Sequence, residues 1–504
     1  MKVTKDFLLH ENEIVKKKIK NSLSLNKKIR LIQYNAYLEW KFPFNHKFSD
    51  SFLENEIVKI SNIIHEKSLE NRPNDSDVFI ASFLMDNGAL FQQYIEFLYN
   101  KSKDLLLIVT ENFDELKSKD TLEYIKQNNI KHVFLRKDNN PQKKVIQIIQ
   151  LIEEHNPSRI WAHLIPNDIA ALLSIKIFNN SKKYYIVGND HTFWLGKNIF
   201  DYFIEFRHFG ISLAIERRGI PLEKILHIPF YPIKNEEPFI GFPFERKNKI
   251  VGISGANLYK YLMDPELHYF KAIKELIVEN PNFMFCLCGN GDSQTISQFI
   301  EKNNLQDRFF FLGHRTDFYN LIGQSDILFE SYPMKGGLTP LFATEQKIPV
   351  VGIASYDNIS GSLEEMLNIE GYKQPANFNE FKAEASLLIN NPEYRIKLGN
   401  LLSNNACNKK DFESALVKVL NEDLTTLHPK VVKPLRLNDE ANLQEYLNLK
   451  DSTIENQLRI KLFTIKSSLP ISSRLKLMIP TINASNTKGL YAILRVIFLA
   501  LWGR

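Results

Sequence analysis

From Val78 onward, short apolar runs of strand length alternate with longer amphipathic stretches, and after one interruption the same alternation begins again. A strand of a parallel sheet is covered on both faces, so it reads as a near-continuous apolar run. The crossover that joins two such strands is a helix with one apolar stripe. The pattern predicts an α/β chain of βαβ units. The first series places strands at Val78–Leu84, Asp104–Thr110, Lys131–Leu135, Arg159–Leu164, Tyr184–Val187 and Ile225–Ile228. Between them, Lys143–Glu154 sets Val145, Ile148, Ile149 and Ile152 on one helical face. The second series places strands at Ile250–Ile253, Phe283–Cys288, Phe309–Leu312, Ile327–Glu330 and Pro349–Gly352. One helix start reads clearly: Asp264 as cap, Pro265 in the first turn, then Leu267, Phe270, Ile273 and Ile277 as the buried stripe.

The interruption, Tyr231–Lys249, is rich in proline and charge and has no periodicity, as suits an interdomain linker. A chain of 504 residues also exceeds what one core organises. The expected domains are a Lys-rich accessory segment 1–74 with helical hints, α/β domains at 75–230 and 250–420 joined by the linker 231–249, and a helical extension 421–504. With 44% hydrophobic and 24% charged residues, disorder and fibrous architectures are excluded. A net charge of +6 is too small at this length to point to nucleic acid. Cys286 and Cys288 alternate along a strand and so point to opposite faces, and neither they nor Cys407 fall at metal-ligand spacing. Such sparse cysteine fits a reducing compartment. No secretory signal or spanning run is legible, and the expected location is the cytoplasm. Leu490–Trp502 is apolar apart from Arg495 and follows Arg474, Lys476 and Lys488. It reads either as an interfacial helix on an anionic membrane or as a segment packed on the first domain.

Three turns of the second series suit a bound phosphate. Gly252–Asp264 is a strand ending in a glycine turn at Gly255, with Lys260 shortly after. Lys335-Gly336-Gly337-Leu338-Thr339-Pro340 follows a strand and opens a helix, with Thr339 as cap or phosphate donor. Gly313-His314-Arg315 sits at the carboxyl end of FFFL, the ligand side of a doubly wound sheet, where His314 and Arg315 are candidates for base recognition. In the first series, Asp190-His191 follows a strand and precedes Phe193-Trp194. A histidine there serves as general base or as a satisfied core residue. His163 is a weaker candidate, Trp194 reads as sugar platform or core, and Arg217 and Arg218 read as a solvated helix end.

Ile250–Val351 resembles the donor domain of GT-B glycosyltransferases, through the glycine turn with its downstream lysine, the CGNGD turn, and FLGHRTDFYNLIGQSDILFESYPMKGGLTPLFATEQKIPVVG. The run LYKYLMDPE is similar to the lysine block of the O-GlcNAc transferase group. The resemblance implies two Rossmann-like domains facing each other across a cleft, a diphosphate contact at Lys260 and a phosphate contact at Thr339. Val78–Pro229 is similar to the acceptor domain, which implies a place near the donor sugar for His191. One departure is plain: the large retaining family has a ribose-binding Glu where this chain has Phe342. Glu345 and Glu330 are the candidates to replace it, and retaining and inverting chemistry both stay open. The activity so implied is transfer from a nucleoside-diphosphate sugar to a saccharide, lipid-linked or protein acceptor, without metal or cofactor, in envelope polysaccharide or lipopolysaccharide assembly. A protein-modifying transferase, a nucleotide-sugar epimerase and a non-catalytic scaffold of the same fold are the alternatives.

Overall fold

A computed structural model describes residues 5–41, 47–64, 72–86, 90–102, 104–135, 140–234, 237–354, 363–367 and 371–430, with single residues at 369 and 432. The cation-flanked segment Leu490–Trp502 lies outside the described residues. The chain divides into two compact units.

The first unit opens with three helices, α1 (Lys5–Asn21), α2 (Leu25–Lys41) and α3 (Ser51–Ile64). The helical hints of the Lys-rich segment are thus whole helices. Their apolar faces carry Val15, Ile19, Ile29, Ile32, Leu53, Ile57 and Ile60, all buried. The α/β series follows as β1 (Asn74–Ala81), α4 (Phe91–Ser102), β2 (Leu105–Val109), α5 (Lys119–Gln127), β3 (Lys131–Phe134), α6 (Pro141–His155), β4 (Pro157–His163), α7 (Ile169–Ile177), β5 (Lys182–Ile186), β6 (Tyr202–Glu205), α8 (His208–Glu216) and β7 (Ile225–His227). The sheet order is β3-β2-β1-β4-β5-β6-β7, with parallel ladders from β3 through to β6. Helix α3 packs on α7, and α2 on α6 and α7, so the N-terminal helices form an outer layer over the crossover helices. Strand β6 has no counterpart in the sequence reading. Its four residues are flanked by aromatic loop sequence with no periodicity long enough to mark it.

The second unit has β8 (Ile250–Gly255), α9 (Tyr259–Leu262), α10 (His268–Glu279), β9 (Phe283–Cys288), α11 (Gln294–Lys302), β10 (Phe309–Gly313), α12 (Phe318–Gly323), β11 (Ile327–Phe329), α13 (Leu338–Glu345) and β12 (Val350–Val351). Four more helices close it: α14 (Leu363–Leu367), α15 (Phe378–Asn390), α16 (Pro392–Asn405) and α17 (Lys409–Leu420). The parallel order β10-β9-β8-β11-β12 winds outward from β8 in both directions. Helix α10 starts later than its sequence suggests. The Asp264 carboxylate accepts from the amides of Glu266 (3.1 Å) and His268 (2.7 Å), and Leu267 takes a left-handed φ of 54°. The carboxylate therefore closes a local turn, and the helix begins only after it. Tyr269, Phe270, Ile273, Leu276 and Ile277 then face the core.

Candidate functional site

In a doubly wound sheet, ligands bind beyond the carboxyl ends of the strands where the winding reverses. In the second unit that point lies between β8 and β11, whose ends carry Gly255 and the turn at 335–337. The structure brings three of the phosphate candidates together there. Lys260 Nζ donates to the Lys335 carbonyl at 3.1 Å and lies within 3.5 Å of where a Cβ on Gly336 would project. Thr339 Oγ1 donates to the Gly255 carbonyl at 3.3 Å. Gly336 and Gly337 lead into α13, whose Leu338 and Thr339 stand at its amino end, where helix amides lack intrahelical acceptors. Desolvation lowers the Lys260 pKa, a penalty that a bound anion would offset. Gly255 has no room for a side chain, because a Cβ would overlap the Phe318 ring.

The lysine is held in place by residues the sequence reading passed over. Ser254 Oγ bonds Tyr261 Oη at 2.8 Å and donates to the Phe329 carbonyl at 2.7 Å, while Tyr269 Oη donates to Ser254 at 3.2 Å. This buried network ties α9, and with it Lys260, to the ends of β8 and β11. Tyrosines at such positions read as core, so only the fold shows what they position. Beneath the turn, Glu330 pairs with Lys335 at 3.0 Å and accepts from Gln374 Nε2 at 2.7 Å. Lys335 also donates to Gln374. The Lys335 side chain therefore points into the unit while its carbonyl serves Lys260.

The remaining donor-side candidates are placed differently. Glu330 is 4% exposed and engaged by Lys335, so the structure sets its carboxylate below the turn. Glu345 ends α13, about 9 Å along the helix from Thr339. It is exposed and bonds Lys234 at 2.9 Å and Tyr319 Oη at 3.3 Å. Phe342 is buried edge-on against Tyr319. Arg315 is clamped by Asp317 (2.7 and 2.6 Å) and donates to the Gly241 carbonyl at 3.1 Å, which ties the linker to the sheet. Its neighbour His314 is exposed beside Asn290, and Gly313 takes a φ of 65°.

In the first unit, His191 Nδ1 lies 3.0 Å from Oδ1 of Asp190, whose side chain is fully buried. That bond selects the Nδ1–H tautomer and leaves Nε2 as the basic nitrogen. His163 lies under Gly188, bonded to the Ile186 carbonyl at 3.2 Å, and burial pushes its imidazole down to about 4. Trp194 is wholly buried against Tyr185 and Phe203, which makes it core and no platform. Arg218 departs from the reading as a solvated helix end. It is 1% exposed, and its Nη2 donates to the carbonyls of Asp190 (2.7 Å) and Thr192 (2.6 Å). The helix turns it inward because two loop carbonyls need a donor there. Arg217 is exposed, as expected.

Among the described residues, no group of three or more His, Cys, Asp or Glu side chains is arranged to hold a metal ion, and no helix is long and apolar enough to cross a membrane. Cys286, Cys288 and Cys407 are free thiols.

Two Rossmann-like sheets, with a glycine-rich turn at the switch point of the second, give the chain the GT-B fold. Residues 235–401, a third of the chain, match the family profile described as Glycosyl transferases group 1. No curated protein sequence matches the chain. Among solved structures it is similar in fold to a glycosyltransferase from Rickettsia africae ESF-5, with TM-score 0.53 and 16% identity over 70% of this chain and 99% of that one. Anabaena HepE, solved with UDP and glucose, gives TM-score 0.52 and 13% identity over 69% and 100% of the two chains. S. aureus MnaA, solved with UDP, gives 0.50 and 14% over 70% and 99%.

Proposed function

We propose that the protein transfers a sugar from a nucleoside-diphosphate sugar, with UDP as the nucleotide, to a hydroxyl of a saccharide, lipid-linked or protein acceptor. One observation carries this reading. Lys260, the glycine pair 336–337 and Thr339 meet at the β8/β11 switch point, which brings the start of α13 and one desolvated cation together. The UDP found with two fold neighbours supports the choice of nucleotide. In the reaction, the bond from the anomeric carbon to the diphosphate breaks and its electron pair leaves with the phosphate. The anomeric carbon bonds the acceptor oxygen, and the acceptor proton passes to His191 Nε2 or to the departing phosphate. Lys260 and the start of α13 stabilise the charge that develops on the leaving group. That assignment needs neither metal nor cofactor. The apolar, cation-flanked sequence near the C-terminus supports an acceptor at the membrane surface, in envelope polysaccharide or lipopolysaccharide assembly.

Thermal denaturation with UDP, GDP, CMP, ADP and dTDP tests the reading. A ligand at one hundred times its Kd adds about 2.7 kcal/mol to stability. UDP should raise Tm in wild type and by clearly less in Lys260→Ala, with the same shifts in EDTA. If no nucleotide moves Tm, the protein is a scaffold of this fold.

A further inference from the structure

The loop bearing His191 runs from the end of β5 at Ile186 to the start of β6 at Tyr202, and much of its backbone bonding comes from outside the sheet. Trp194 N donates to the Phe48 carbonyl at 3.2 Å. The amides of Gly196 and Lys197 donate to Glu54 Oε1 at 2.8 and 3.2 Å. Lys197 Nζ donates to the Arg218 carbonyl at 3.1 Å, and the Arg218 guanidinium holds the carbonyls of Asp190 and Thr192. That guanidinium also lies over the rings of Trp194 (4.4 Å) and Phe48 (5.6 Å). A continuous path therefore runs from Glu54 through Lys197 and Arg218 to the two residues that flank His191. Phe48 and Glu54 belong to the N-terminal segment, Glu54 in the first turn of α3.

Glu54 is an expensive way to hold two amides. It is fully buried, its Oε2 makes no hydrogen bond, and burial pushes its carboxyl up to about 7 despite the amides that favour its charge. A neutral side chain of the same shape would carry a smaller desolvation penalty. A charged acceptor gives stronger bonds to successive amides than a neutral one of the same shape.

We propose that Glu54 is a positioning residue for His191: its carboxylate fixes the Gly196–Lys197 turn, so the N-terminal helices, and not the sheet alone, set where the imidazole stands. The inference rests on the role given to His191 above. A brace that served only the fold would lose stability and turnover together, whereas a positioning carboxylate separates them.

Glu54→Gln keeps the shape and one acceptor oxygen. The assay is UDP release from whichever of UDP-glucose, UDP-galactose and UDP-N-acetylglucosamine the protein turns over. At pH 8 the variant should melt no earlier than wild type, while kcat falls about tenfold or more at an unchanged donor KM. Amide exchange across residues 190–200 should quicken. On a His191→Ala background the same substitution should cost nothing further. Glu54→Asp, which keeps the charge but withdraws it by one methylene, should lose turnover while staying folded. Wild-type turnover in either Glu54 variant, turnover lost in step with Tm, or an equal loss on the His191→Ala background would overturn the proposal. An inactive His191→Ala beside a fully active Glu54→Gln sinks this inference alone. Wild-type turnover in His191→Ala sinks the role of His191, and this inference with it.

Discussion

The turn at the end of β8 and the loop after β5 are both strand-end features of a Rossmann-like sheet, yet they are held in opposite ways. The β8/β11 site is built chiefly from backbone: glycines that let chains approach, a helix start, and one lysine steered by a small hydroxyl network. The His191 loop is held by buried charges that arrive from distant sequence, Glu54 and Arg218. Backbone sites need particular residue types at fixed local spacing. Braced loops need partners whose identity depends on what packs nearby.

Substitutions that separate the two designs follow, the largest effect first. Arg218→Met should cost about 3–5 kcal/mol in urea denaturation, because it leaves the Asp190 and Thr192 carbonyls without their donor and removes the cation facing Glu205. Arg217→Ala, one residue away and exposed, should stay within about 0.5 kcal/mol. Equal effects would break the contrast.

The pH dependence of Glu54 comes next. Its carboxyl is raised to about 7 in the folded protein from 4.5. The native state therefore keeps a proton that the unfolded chain has already released. The stability this contributes is complete below pH 4.5 and is lost as pH rises through 7. Relative to wild type, Glu54→Gln should gain stability from pH 5 to pH 8, by at most about 3 kcal/mol. A pH-independent difference in Tm would show that the carboxyl titrates normally.

On the donor side, Lys260→Ala should weaken UDP binding about tenfold to a hundredfold by calorimetry, with Tm of the free protein unchanged or higher, since a desolvated cation is removed. Gly289→Ala should cost about 1–2 kcal/mol, because its Cβ would overlap the Ala256 carbonyl, which belongs to backbone and yields poorly. Arg315→Ala should change UDP affinity by less than about threefold, because the guanidinium already serves Asp317 and Gly241. A larger loss would return Arg315 to the candidate site and blur the contrast.

Much of the β8/β11 cluster was legible. Gly255, Lys260, Gly336, Gly337 and Thr339 carry local signatures, and the fold brings them to one place. Glu330 and Glu345 were candidates by position alone, and position along the chain does not say which way a carboxylate points. One turns inward to Lys335 and the other outward to Lys234. Arg218 reads from its neighbours as a solvated helix end, and Glu54 lies in a segment that showed only charge and helical period.

The sequence by itself determined the strand and helix alternation, the break between two α/β series and the glycine turns, because periodicity, proline and glycine act over a few residues. Tertiary structure decided which charges are buried, which way Glu330 and Glu345 turn, and which remote carboxylate holds the His191 loop. Those outcomes depend on desolvation and on hydrogen bonds between residues distant in sequence, such as Glu54 and Gly196, 142 positions apart. No local pattern encodes them.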